Sequence, residues 1–174
     1  LPVHTGVVEN IGLFLPDKKP KITLSNKQIG TVKKSVNELG LISYDFVPKK
    51  AGKTLVTEKT SEGISKFYFN VVKYKNPVSS MKLGKTTIKG SKFNKTDKLS
   101  LSYTKYAKQN NSLKIVPQKG WRVRGFYSLD KNGKTTYYSG NKFKPTGGKG
   151  NCTLRIVFAS LNVNAQTYID IVFK

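Results

Sequence analysis

The stretch "KFYFNVVKYKNPVSS", residues 66–80, decides how the chain is divided. Phe67, Phe69 and Val71 fall on one side of an extended backbone and Tyr68, Asn70 and Val72 on the other, which calls for a place in a sheet. Asn76 and Pro77 then stop regular pairing, because proline has no amide donor and pushes its predecessor into an extended or turn conformation. The pattern returns near the other end of the chain. "YFNVVK" at Tyr68 to Lys73 aligns with "YIDIVF" at Tyr168 to Phe173, and each copy reads as the last strand of its own region. The Asn-Pro pair therefore predicts a boundary between one domain at 1–75 and a second at 76–174.

Composition fixes the class. Nine Tyr, nine Phe and many Val, Ile and Thr suit half-buried pleated surfaces, while a single Met and few Ala argue against long helices. The expected fold is all-β: two tandem antiparallel sandwiches. In the first region, strands are expected at Val7–Leu15, Lys21–Leu24, Gly30–Lys33, Leu41–Val47, Lys53–Thr60 and Ser65–Tyr74, separated by turn-forming segments such as "SNKQ", "NELG" and "SEG". In the second they are expected at Lys85–Ile88, Lys98–Tyr103, Ser112–Val116, Trp121–Leu129, Lys134–Ser139, Cys152–Ala159 and Thr167–Phe173, with Asn132-Gly133 as a hairpin signal. Seven strands at this spacing fit an Ig-like topology.

The first region also carries a family resemblance. "LSNKQIGTV" followed by "FVPKKAGKTLVTEKTSEGISKFYFNVV" resembles the bacterial Ig-like domains of Gram-positive cell-surface proteins. In that family a Ser-Asn turn precedes a strand ending in Thr-Val, and an Ala-Gly-Lys-Thr turn precedes the penultimate strand. Ser25-Asn26, Thr31-Val32 and Ala51 to Thr54 match in order, although the "VKKSVNELGLISYDF" stretch is longer than the family's usual turn there. "KGW" at Lys119 to Trp121 and the following "RVRGFY" are similar to second modules found beside such repeats in gut clostridia. The resemblance implies an extracellular, non-enzymatic module that spaces or presents binding domains at the cell surface.

Charge is the unusual quantity. There are 32 Lys and Arg against 9 Asp and Glu, a formal net of +23, of which residues 76–174 hold +16. The lysines are scattered over strands and turns, so they read first as solvated faces and protected sheet edges. A second reading is attraction to polyanions such as cell-wall polymers or acidic glycans. Nucleic acid is disfavoured, because no recognised nucleic-acid motif accompanies the charge.

Elimination argues against catalysis, and no enzymatic activity is expected. The only histidine, His4, lies near the beginning, the only cysteine, Cys152, sits on an apolar strand face, and the second region has just three carboxylates, Asp97, Asp130 and Asp170. "GGKGN" at 147–151 lacks phosphate-loop spacing and leads into a strand. "LPVHTG" has one residue too many for a wall-sorting signal and stands at the wrong end. No cofactor or metal is expected, no stretch suits membrane insertion, and a signal for export would lie outside this sequence. The chain is expected to be a monomer, secreted or held at the cell surface.

Binding residues are sought in the second region. In "WRVRGFY", strict alternation sets Trp121, Val123 and Tyr127 against Arg122, Arg124 and Phe126. Lys114 and Arg155, if on the same outer face, would extend this into a basic patch able to meet phosphate or carboxylate. The bland reading is a set of solvated strand faces with Trp121 in the core. Tyr137 and Tyr138 cannot both point inward, and the outward one would stack a sugar or cover a sheet edge. The candidates are thus Lys114, Arg122, Arg124, Phe126, Tyr137, Tyr138 and Arg155, with wall polymers, acidic glycans or a host surface as partners.

Overall fold

The computed structural model describes residues 2–4, 7–36, 39–163 and 165–174. The chain divides into two compact units, Leu1–Tyr74 and Lys75–Lys174, both built almost entirely of strands. Thr5 and Gly6 of "LPVHTG", and Asn37 and Glu38 of the turn expected at "NELG", lie outside the described residues.

The first unit has β1 (Pro2–His4), β2 (Glu9–Phe14), β3 (Lys21–Leu24), β4 (Gly30–Val36), β5 (Ile42–Pro48), β6 (Gly52–Thr60) and β7 (Gly63–Val72). They form two sheets, β2-β5-β4 and β1-β7-β6-β3. These are the B-E-D and C-F-G orders of an Ig sandwich, with β1 added in parallel along β7. Alternation in the opening stretch holds: Phe69 and Val71 are buried, and Tyr68 is exposed. Phe69 stacks on Phe46 of the other sheet, ring centroids 4.3 Å apart, which fixes the centre of this core. Gly30 lies against the same ring, where an added Cβ would collide with Phe46 Cε2. Thr31-Val32, expected at the end of a strand, instead lie near the start of β4. That strand runs to Val36 because every residue from Gly30 onward finds a partner on β5.

The second unit has β8 (Val78–Leu83), β9 (Thr86–Lys89), β10 (Lys98–Leu101), β11 (Asn111–Pro117), β12 (Trp121–Leu129), β13 (Thr135–Tyr137), β14 (Lys142–Phe143), β15 (Cys152–Ser160) and β16 (Gln166–Phe173), with a 3-10 turn at Gly90–Phe93 and one short α-helix, α1 (Tyr103–Tyr106). One sheet runs β10-β16-β15-β12-β13 and the other β14-β11-β8-β9. The orders again match an Ig sandwich, with β12, β15 and β16 as C, F and G and β13 as an extra strand beside C. Phe93, Phe143, Phe158, Phe173, Leu154 and Ile156 are fully buried between the sheets.

Three strands escaped the sequence reading: β1 in the first unit, and β8 and β14 in the second. Val78–Leu83 begins immediately after Pro77, held there by Asn76, whose Oδ1 accepts Val78 N–H (2.8 Å) and whose Nδ2 donates to Gly90 O (2.8 Å). Lys142–Phe143 is too short to show a period. The Tyr68/Tyr168 repeat is structural: Val71 pairs with Val3 of β1 as Ile171 pairs with Leu99 of β10, each in a parallel ladder. The glycines of "GGKGN" serve geometry, since Gly147, Gly148 and Gly150 all have φ between 77° and 95°, which other residues seldom adopt.

Candidate functional site

The geometry of β12 rearranges the predicted patch. Val123 pairs with Phe158 and Gly125 with Val157, the next residue along β15, so Arg124 is an extra residue with no partner, a β-bulge. Side-chain parity resets there. Phe126, expected beside the arginines on the outer face, instead faces the core opposite buried Ile156 and stacks on Tyr138 (5.8 Å, 19°). Tyr127, expected inside with Trp121, is outside opposite Arg155. Gly125, at φ 157°, supplies a backbone that side-chain-bearing residues rarely adopt.

The outer face of the five-stranded sheet therefore carries a continuous row. Tyr137 on β13 lies opposite Tyr127 on β12, which lies opposite Arg155 on β15, which lies opposite Asp170 on β16, which lies opposite Lys98 on β10. The two tyrosine rings are 5.5 Å apart and tilted by 49°. Arg155 donates two hydrogen bonds to Asp170, Nε to Oδ1 and Nη2 to Oδ2, each 2.8 Å. Its guanidinium also lies over the Tyr168 ring, 4.8 Å from the centroid. Asp170 is buried beneath this cover, and hydrogen bonding to it raises the Arg155 pKa further above its ordinary value, with Tyr127 adding in the same direction.

Arg155 is thus occupied. Its charge is spent on Asp170 and it acts as a brace for the row, not as a free fork for an anion. Lys114 is exposed but stands on β11, in the opposite sheet, opposite Lys82. Arg122 and Arg124 are exposed on β12. The four-residue basic patch expected from the sequence is not assembled, because β11 and β12 belong to different sheets and Asp170 holds Arg155.

A different site takes its place. Tyr137 and Tyr127, with Arg124, Val157 and Gln166, line an open groove of about 370 Å³, and the half-buried Phe126 and Tyr138 border it, so four of the residues predicted from the sequence meet there. Tyr137 is 78% exposed, the largest exposure of any aromatic ring among the described residues of this unit. Tyr138 turns inward, its hydroxyl 2.9 Å from Ser128 Oγ and its ring edge-on to buried Phe143. One tyrosine of the pair is therefore outside and the other inside. Tyr127, Gln166 and Val157 were not singled out in the sequence, since the first two could be seen only after the bulge and the β15–β16 register were known.

Residues with catalytic chemistry are placed otherwise. His4 is buried with Nδ1 3.2 Å from Lys73 O. Cys152 is buried, and desolvation pushes its thiol pKa up. Asp130 accepts hydrogen bonds from Asn132 and Lys134 N–H in the β12–β13 turn, where Gly133 has φ 83°. Among the described residues no three His, Cys, Asp or Glu side chains gather to hold a metal ion, and no helix is long and apolar enough to cross a membrane.

No protein-family model matches the sequence, and no curated protein matches it. Similar solved structures include domains 4–9 of the surface layer protein SbsC, at 13% identity and TM-score 0.38, covering 100% of this chain and 30% of that one. Domains 5–6 of SbsC match at 15% identity and TM-score 0.35, covering 99% and 92%. Tandem Ig repeats of Dlar match at 10% identity and TM-score 0.36, again covering 99% and 92%. This chain spans less than a third of the first of these.

Proposed function

We propose that the protein is a non-enzymatic extracellular module of the Gram-positive surface type, in which the first sandwich is a spacer and the second attaches to glycan through the tyrosine groove. The observation that carries the reading is Tyr137, 78% exposed and laid against Tyr127 on a face braced by Arg155 and Asp170. Exposed rings cost hydration and are useful where a flat apolar partner arrives, and the apolar faces of sugar rings are such partners. Arg124 and Gln166 at the groove supply donors and an acceptor for sugar hydroxyls. The rigid brace reduces the ordering cost of binding. His4 and Cys152, buried and engaged in packing, support a role without covalent chemistry.

The test is retention on immobilised neutral polysaccharides. The parent protein should be retained with little dependence on salt, and Tyr137→Ala should weaken binding about fivefold or more, equivalent to roughly 1 kcal/mol for one lost ring. Tyr68→Ala, which removes a 49%-exposed ring from the first unit, is the control and should have no effect. Equal losses from both variants would defeat the proposal.

A further inference from the structure

The other sheet of the second unit carries a feature of a different kind. Its four strands contain four charged residues, all lysine: Lys82 on β8, Lys89 on β9, Lys114 on β11 and Lys142 on β14. The register puts them on one face. Lys142 pairs with Ser112, two residues from Lys114; Lys114 pairs with Lys82; and Lys89 pairs with Ser80, two residues from Lys82. Directly paired residues and residues two apart share a sheet face, so the lysines form a diagonal with one member on each strand. All four are exposed, and among the described residues none has a carboxylate within ion-pair distance.

Ordinary explanations cover half of this stripe. Lysine on an edge strand discourages edge-to-edge association, which accounts for Lys89 and Lys142 on the outermost strands. Lys82 and Lys114 stand on the two central strands, directly opposite each other, where like charges destabilise the pairing. A solubilising surface would intersperse both signs. Here all three acidic residues of the unit lie elsewhere: Asp170 in the other sheet, Asp97 bonded through its carbonyl to β16, and Asp130 in the β12–β13 turn.

We infer that this face is a docking surface for a linear anionic polysaccharide, its repeating phosphate or carboxylate groups following the lysine diagonal. Directly paired Lys82 and Lys114 are about 5 Å apart at Cβ and the diagonal steps to Lys89 and Lys142 about 7–8 Å, and the flexible stems allow the ammonium groups to match a polymer's charge spacing. Ser80, Thr87 and Ser112 lie between them as hydroxyl partners for sugar. Single-stranded nucleic acid is a poorer fit, because the strand residues on this face include no aromatic ring on which bases could stack. Duplex readout needs an element that enters a groove, and this surface is the face of a sheet. The inference goes beyond the tyrosine groove, which lies in the opposite sheet, so either site can fail without the other.

The test compares two quadruple variants of the whole chain. One changes Lys82, Lys89, Lys114 and Lys142 to Gln; the other changes four turn lysines, Lys119, Lys131, Lys134 and Lys149, and removes equal charge. Binding is titrated against poly(glycerol phosphate), polygalacturonate, single-stranded DNA and duplex DNA at low and physiological salt. The stripe variant should lose about tenfold or more in affinity for one or both polysaccharides and show a flatter salt dependence, while the turn variant should lose less than about twofold. The phosphate and uronate arms tell which anion the polymer carries. Lys114→Gln alone should not lower the melting temperature, because it relieves a like-charge pair. Equal losses in both variants, no binding by the parent, or tighter lysine-dependent binding of either DNA would each overturn the inference.

Discussion

Deleting Arg124 should be tolerated, although it removes a residue from within a nine-residue strand. Val123 and Gly125 already pair with consecutive residues of β15, so excising Arg124 joins two segments whose registers agree and leaves Phe126 inside and Tyr127 outside. The cost should stay within about 1 kcal/mol, chiefly from lost local twist. Deleting Val123 is different, because the slot opposite fully buried Phe158 must then be filled by an arginine. Losing the valine and turning an unpaired guanidinium inward should cost at least about 3 kcal/mol. For a unit of this size that is a fall of roughly 12 °C or more in the melting temperature of the second unit. Urea and thermal melts of both deletions, with Arg124→Ala as reference, measure the difference. A strand without a bulge would reverse parity on either deletion, so similar large losses would mean that Arg124 is not an extra residue in this strand.

Removing Arg155 should be costly, because buried Asp170 would lose both of its guanidinium hydrogen bonds; Arg155→Ala should destabilise by about 2–3 kcal/mol, and Arg155→Ala with Asp170→Asn by less, in a double-mutant cycle read from urea melts. Glu9 points toward the core opposite Phe46, and burial raises its carboxyl pKa. A raised carboxyl pKa means that the folded state holds the proton more tightly, so this group favours folding at low pH and loses that contribution as pH rises from the unfolded pKa through the folded one. Glu9→Gln should therefore raise the melting temperature at neutral pH, with the gain vanishing below the carboxylate range. Cys152, buried with its thiol pKa raised, should resist alkylation in the native protein and react fully in denaturant, as mass spectrometry would record.

The sequence revealed most of the fold because the long strands alternate cleanly and are bounded by turn chemistry. Trp121–Leu129 has the expected limits, and Cys152–Ser160 extends the expected strand by one residue. Val78–Leu83 was hidden because its alternation is interrupted near Ser79, where the pairing with β11 slips between Val116 and Pro117. The site was legible in part. The Tyr137/Tyr138 split follows from adjacency alone, but the side taken by Phe126 depends on a bulge that only pairing reveals. Arg155 faces outward as expected, while its engagement with Asp170 depends on the register of β15 against β16. The lysine stripe was beyond reach for the same reason, since its members are spread from residue 82 to 142 and meet only through three strand registers.

The most direct test of glycan attachment through the tyrosine groove is residue-resolved. Backbone amide resonances of the isotopically labelled protein are followed while a mixture of neutral oligosaccharides is added at physiological salt. Gly125, Tyr127, Tyr137, Val157 and Gln166 should shift together and saturate with one apparent affinity, and the shifts should disappear in Tyr137→Ala. Saturable shifts confined to other surfaces, or binding undiminished in Tyr137→Ala, would contradict attachment through the groove.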